Sequence, residues 1–180
     1  MNGAMDFSAK NRISLQDLHD VLVSLVFPYR MKATQRMNIT EDDRNFVLKY
    51  MSQLPTESTF PAYSADTVDY YPAYCKFLLY GAEKGPLPNN IRIFNKVGDA
   101  YGQLLDIAYI VDFDKKIEFF LSAVIYCNSD GILNDDKYDY DSIGFPFMKH
   151  LGQVIYDYET KREKKMEPDL SGLKFVYDKE

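Results

Sequence analysis

The chain carries a lysine and a glycine in close succession, at Lys96-Val97-Gly98, inside its only long β-type pattern. This triplet is the strongest candidate for a functional motif in the sequence. Its simpler interpretation is that Lys96 is an exposed lysine that protects a sheet edge from pairing with another strand. Nucleophilic chemistry would need a serine beside a lysine, and a spacing of three residues on a helix brings the two onto one face. Ser171 and Lys174 have that spacing but stand in the tail, after the sheet, and roughly one such match is expected by chance in a chain of 180 residues. Ser8 and Lys10 do not have the spacing.

The histidines and the acidic segment NSDGILNDDKYDYD do not predict a metal site. His19 and His150 fall on or beside apolar helix stripes without a ligand partner at a telling spacing, which favours core or boundary positions. If Gly131 is the sixth residue of a calcium loop, the first and twelfth residues are Tyr126 and Lys137, and these exclude an EF-hand. We therefore expect a solvated loop, no metal and no cofactor.

Two cysteines, Cys75 and Cys127, form neither a metal-binding spacing nor a disulfide framework, and both are interpreted as packing residues. The triplet Tyr126-Cys-Asn128 is interpreted as the end of a strand and a turn.

Three runs rich in β-branched and aromatic residues predict strands: Ile91 to Phe94, Leu104 to Val111 and Ile117 to Tyr126. Their connections have hairpin length, so the sequence predicts a three-stranded antiparallel meander. The first run alternates, whereas the second and third are apolar almost throughout, as expected of central strands covered on both faces. Helices must supply these covers.

Four helices are predicted around this sheet. Ser14 is a candidate N-cap with Asp17 three residues on, and that helix ends before Pro28. Thr40 is a candidate cap for a second helix, which acidic residues in its first turn stabilise and which Pro55 ends.

The other two helices are predicted before the first strand and after the third strand in the sequence. A short helix is predicted from roughly Val68 to Leu79, with Gly81 as its left-handed C-terminal residue. The last helix is predicted from about Pro146 to Lys164, packed on a face that the Ser14 helix also covers.

Length and composition predict one domain over residues 1–180, and the predicted helices and strands give it the α+β class, with a core of about 12–165 and a tail of 166–180. The chain is 46% hydrophobic, and no Pro/Gly/Ser-rich linker divides it. A net charge of −6 argues against nucleic acid as a partner. The longest apolar run is far shorter than the roughly 20 residues that span a bilayer, and the first ten residues lack a signal-peptide core.

The order of these elements, together with three segments, resembles one family. A strand with Lys96-Val97-Gly98 is followed by two long strands and a terminal helix, and the segments ISLQDLHDVLVSLV and TEDDRNFVLKYMSQ precede it. This arrangement resembles the C-terminal part of the penicillin-recognising serine hydrolases, the class A-like β-lactamases and D-alanyl-D-alanine peptidases, in which a strand carries Lys-Thr-Gly. The resemblance covers roughly Arg12 to Tyr158.

The resemblance implies a substrate-binding role for four residues. Lys96 would supply positive potential for a substrate carboxylate, and Gly98 would let the strand backbone approach the substrate. The backbone N–H of Asp99 would contribute to the oxyanion hole, and such a donor is worth on the order of 3 kcal/mol in the transition state. Val97 replaces the usual Thr or Ser and removes a hydroxyl donor.

The family's Ser-x-x-Lys nucleophile motif does not precede Lys96 here. The chain is therefore expected to supply the substrate-binding strand of a serine hydrolase acting on an amide or ester, such as a β-lactam or peptidoglycan peptide, and to be inactive alone. The alternative is a self-standing, non-catalytic domain that binds a partner along its sheet. An upstream signal peptide would place the protein in the periplasm or cell envelope, and its absence would place it in the cytoplasm.

An aromatic cluster precedes the first strand, in a region with few polar residues: Phe60, Tyr63, Tyr70, Tyr71 and Tyr74. An exposed apolar patch of this kind usually marks an interaction site. The expected partner is the upstream half of the enzyme or a second copy of the chain.

Overall fold

Three strands form one antiparallel sheet in the structure, a computed structural model that describes residues 8–63 and 68–178. The strands are β1 (Ile91–Ala100), β2 (Gln103–Asp112) and β3 (Ile117–Tyr126), in the order β1-β2-β3. The predicted α+β class and three-stranded meander are confirmed. β1 is longer than predicted because its polar second half continues to pair with β2, from Asn95 opposite Ala108 to Ala100 opposite Gln103.

Helices surround this sheet. They are α1 (Leu15–Val26), α2 (Glu41–Ser52), α3 (Phe77–Tyr80) and α4 (Phe145–Lys161), with a π-helical turn at Tyr140–Gly144 and short 3₁₀ turns that include Pro55–Glu57 and Ser171–Leu173. Within the described ranges, none of these helices is long and apolar enough to cross a membrane.

The caps of α1 and α2 form as their sequences predict. The backbone N–H of Asp17 donates to Ser14 Oγ at 3.0 Å, which satisfies one of the free donors at the start of α1. At α2 the capping box is reciprocal, because Asp43 N–H donates to Thr40 Oγ1 at 3.1 Å and Thr40 N–H donates to Asp43 Oδ2 at 3.1 Å. Both helix starts are therefore fixed by local chemistry.

The predicted helix from Val68 to Leu79 is wrong. The chain makes turns before α3, and α3 itself is a single turn in which Leu79 has a φ of +88°. The backbone polar groups here bond to strand side chains rather than to a helix, since Leu78 N–H donates to Asp106 Oδ2 at 2.9 Å. Gly81 has a positive φ of 60°, but its ψ of −118° is not the left-handed helical conformation.

The sheet is covered on both faces, but α1 and α4 lie on opposite faces, so the prediction that they share one is wrong. Side chains alternate along β2, and Ile107 and Tyr109 pack with α1 and α2, whereas Ala108 and Ile110 pack with α3 and α4. A strand that is apolar throughout therefore needs one helical layer on each face.

The segment predicted as a tail after residue 165 contributes to the core. Leu170 and Tyr177 are buried, and Phe175 lies edge-on against Phe94 at 6.1 Å between ring centroids. Tyr177 Oη lies 2.8 Å from Ser52 Oγ at the end of α2, and Arg92 stacks over the Tyr177 ring. The chain end thus closes the α1/α2 face of the sheet.

Candidate functional site

One edge of the sheet, the outer edge of β1, carries the predicted substrate-binding residues. A two-residue turn joins β1 to β2, with positive φ at Tyr101 (52°) and Gly102 (83°), and this conformation places Ala100 and Gln103 in a hydrogen-bonded pair. Alternate residues back along β1 then bond to β2. The residues between them include Ile93, Asn95, Val97 and Asp99. Their backbone N–H and C=O groups point away from β2, toward the outer edge of the sheet.

The structure brings Lys96, Val97, Gly98 and Asp99 together at the open end of this edge. Lys96 and Asp99 are exposed, and Lys96 Nζ donates to the outward carbonyl of Val97. A Cβ added at Gly98 would meet no atom within 4 Å, so the strand backbone is accessible there. In the described part of the chain, nothing bonds to the backbone N–H of Val97 or Asp99.

A cleft of about 440 Å³, here called the β1 cleft, lies beside this edge. Its walls are the end of α2, the 53–63 loop, the turn before α3 and the middle of β1. Its lining includes Tyr50, Phe60, Tyr74, Cys75, Lys76 and Lys96. Aromatic walls with a few polar groups are typical of small-molecule sites.

The floor of the β1 cleft is a buried polar network of Lys76, Asn95 and Asp106. Lys76 Nζ donates to Asn95 Oδ1 at 2.7 Å, to Ile93 O at 3.1 Å and to Met51 O at 2.6 Å. Asn95 Nδ2 donates to Asp106 Oδ1 at 2.9 Å. The ammonium therefore uses its three protons to join the end of α2 to the outer edge of β1.

Burial perturbs both charges of this network. It lowers the pKa of Lys76 to about 8, against the partial compensation of the nearby Asp106 carboxylate. It raises the pKa of Asp106 to about 6, although backbone N–H groups and Asn95 donate hydrogen bonds to the carboxylate. Because its protons are already engaged, Lys76 is a positioning group rather than a free nucleophile.

Sequence reasoning missed this network. The available signal was a single charge within an apolar run, at Lys76 in YCKFLLY and at Asp106 in LLDIAYI. A buried charge needs a partner, so two such residues in one domain indicate a pair. Their separation along the chain hid this relation, because the two charges are linked through the Asn95 side chain rather than by a direct contact.

The serine candidates do not form a nucleophile site with Lys96. Ser171 and Lys174 lie in residues 166–178, here called the closing segment, where Lys174 Nζ stands over the Phe113 ring near the opposite end of β1. A different serine, Ser122 on β3, has its Oγ 2.8 Å from His19 Nδ1. Among the described residues no carboxylate bonds to this histidine, so the pair lacks the group that orients the base in a catalytic triad.

Cys75 and three members of the aromatic cluster, Phe60, Tyr63 and Tyr74, line the rim of the β1 cleft, whereas Tyr71 is buried in the core and does not belong to an exposed patch. Cys75 is half-buried, and burial raises its pKa above the usual value, which keeps the thiol protonated. The rings of Tyr63, Tyr70 and Tyr74 pack on one another at 4.6 and 5.2 Å between centroids. Phe60 remains 93% exposed, so part of the predicted apolar patch faces solvent.

The acidic segment and the histidines show no metal centre. In the ranges 8–63 and 68–178, no group of three or more histidine, cysteine, aspartate or glutamate side chains could hold an ion. Asn128 follows β3, and its Nδ2 donates to Tyr126 Oη and Ile132 O, which stabilises the turn predicted there.

Comparisons with protein-family models, with curated proteins and with solved structures found no match to this chain.

Proposed function

We propose that this chain supplies the substrate-binding strand of a β-lactamase-like serine hydrolase that acts on an amide or ester, such as a β-lactam or a peptidoglycan peptide. The observation that carries the proposal is the position of Lys96, Val97, Gly98 and Asp99 on the open outer edge of β1, beside the β1 cleft. The resemblance to the Lys-Thr-Gly strand of the penicillin-recognising family supports the same role.

The geometry of the edge suits an extended amide. The outward N–H groups of Val97 and Asp99 can pair with carbonyls of an extended substrate, whereas Lys76 and Lys96 already occupy the outward carbonyls of Ile93 and Val97. Lys96 adds a positive charge for a carboxylate, and accessible backbone at Gly98 allows close approach. The free N–H of Asp99 is the candidate oxyanion donor.

The chain alone is not expected to catalyse the hydrolysis. Ser58 lines the β1 cleft, but its Oγ donates to the Pro61 carbonyl at 2.8 Å, and among the described residues no serine of this cleft hydrogen-bonds to a base. We therefore expect neither hydrolysis of a chromogenic β-lactam nor a covalent adduct with a fluorescent penicillin. Mass spectrometry that shows stoichiometric acylation of a serine, at Ser122 or Ser171 for example, would contradict this expectation.

Reversible binding tests the proposed site. Fluorescence anisotropy with a fluorescent penicillin should show weak, reversible binding that falls about tenfold in Lys96→Ala, because a charge-assisted contact worth about 1.4 kcal/mol is lost. Lys165→Ala removes an exposed lysine from the segment that follows α4 and serves as the matched control. Equal affinities for the two variants would reject Lys96 as a binding residue.

A second candidate function is supported by the closed core. Leu170 and Tyr177 complete the α1/α2 face with the chain's own residues, which favours a self-standing, non-catalytic binding domain. This domain would use the same edge for a peptide, without preference for a β-lactam or a D-alanyl-D-alanine terminus. A competition experiment between a β-lactam and an unrelated acetylated dipeptide distinguishes the two functions. The hydrolase-like edge should prefer the β-lactam, whereas the non-catalytic domain should show no preference.

A further inference from the structure

The outer edge of β3 is a second open edge, and it does not belong to the β1 cleft. Alternate residues of β2 bond to β1, so the others, which include Asp106 and Ile110, bond to Ala123 and Phe119 of β3. The remaining residues of β3 direct their N–H and C=O groups outward: Glu118, Phe120, Ser122, Val124 and Tyr126. Within the described part of the chain, no group bonds to these outward backbone atoms.

The edges of β1 and β3 differ in how they are protected. On β1, Lys76 occupies the Ile93 carbonyl and Lys96 contacts the Val97 carbonyl. β3 contains neither proline nor lysine, its ten residues pair continuously with β2, and Val124 and Tyr126 are 45% and 50% exposed. A long, regular and apolar edge without such protection is a template for another strand.

We infer that β3 pairs with β3 of a second copy of this chain, antiparallel about a two-fold axis at Ser122. An extended backbone is the group that fits a row of outward N–H and C=O groups, and a two-fold axis lets each copy use the same edge.

The side chains of β3 support the second copy as occupant. Pairing about Ser122 places Phe120 opposite Val124 of the other copy, an aromatic and β-branched pair that stabilises sheets. It places Glu118, the one charged residue of β3, opposite Tyr126 rather than opposite a second carboxylate. The edge is therefore self-complementary in both shape and charge.

Proline at Val124 tests the pairing directly. The N–H of Val124 points outward, so Val124→Pro removes a donor of the new interface while leaving the β2–β3 hydrogen bonds. Sedimentation at tens of micromolar should show a dimer for the natural chain and at least tenfold weaker association for the variant. Val97→Pro makes the same change on the outer edge of β1 and should keep the dimer. Circular dichroism checks that both variants fold.

Charge at Tyr126 gives an independent test with a matched pair. Tyr126→Glu places like charges opposite each other at both ends of the interface and should dissociate the dimer, whereas Tyr126→Lys should pair with Glu118 and retain it. A monomeric natural chain would overturn the inference, and so would equal effects of the two Tyr126 variants. A dimer that survives Val124→Pro but dissociates in Phe60→Ser would assign the contact to the aromatic cluster instead.

Discussion

At the scale of single residues, Lys76 connects the candidate site to the rest of the molecule. Its ammonium binds carbonyls from α2 and β1 and the side chain of Asn95, so it sets the distance between two walls of the β1 cleft. Replacing buried polar groups singly is costly because the partners remain desolvated.

Lys76→Met should destabilise the fold by about 3–5 kcal/mol, since it leaves the Met51 and Ile93 carbonyls and Asn95 Oδ1 without their donor and removes the positive charge near the buried Asp106 carboxylate. Urea unfolding measures the difference. Lys165→Met, at an exposed lysine, should change the free energy of unfolding by no more than about 0.5 kcal/mol. Similar losses in the two variants would show that the Lys76 contacts do not stabilise the protein.

Asp106 should titrate well above an ordinary aspartate. Its pKa is raised from 3.8 to about 6 by burial, so the folded protein binds a proton more tightly than the unfolded chain does. The associated stability is fully present below the unfolded value and is lost as the pH rises through the folded pKa, a change of about 3 kcal/mol. A carbon-detected NMR titration of the Asp106 carboxyl should give a midpoint near 6. A midpoint near 3.8 would show that this carboxyl is not perturbed.

At the scale of elements, the closing segment of the chain supports the wall of the β1 cleft. Tyr177 contacts Ser52 at the end of α2 and lies under Arg92, whose guanidinium also makes a two-point salt bridge with Glu57 in the 53–63 loop. A wall built from a loop and a helix end is thereby tied to residues more than a hundred positions away in the chain.

Tyr177→Phe keeps the ring, removes the buried hydroxyl contact with Ser52 and should cost about 1 kcal/mol in unfolding free energy. Tyr177→Ala also removes the ring that packs against Arg92 and should cost about 3–5 kcal/mol. Tyr29→Phe, at a tyrosine that is 86% exposed, is the control and should be neutral. If Tyr177→Ala is also neutral in thermal and urea unfolding, the closing segment does not stabilise the core.

At the scale of the whole molecule, the sequence predicts what local chemistry decides and misses what distant contacts decide. Ser14 and Thr40 could be identified as caps because each cap bonds to a residue three positions away. The single turn of α3 could not be predicted in this way, because the backbone N–H of Leu78 donates to the side chain of Asp106, which lies 28 residues further along the chain. The sequence also could not show which face of the sheet each helix covers. A strand that is apolar throughout requires a helical layer on both faces, but its pattern does not show which helix lies on which face.

The candidate site could likewise be predicted from the sequence only in part. The edge residues Lys96 to Asp99 could be proposed from a short motif and its order relative to the strands. The β1 cleft could not, because its walls come from segments that only the tertiary fold brings together, and neither could the charged pair of Lys76 and Asp106 below it.

The most direct test of the proposed substrate-binding edge is an amide NMR titration with a β-lactam and with an acetylated D-alanyl-D-alanine dipeptide. Both ligands should shift the backbone N–H signals of Val97, Gly98 and Asp99, with smaller changes at Tyr74 and Cys75 on the rim of the β1 cleft. Shifts confined to the edge of β3 or to the closing segment around Lys174, with the signals of Val97 to Asp99 unchanged at saturating ligand, would contradict the proposed function.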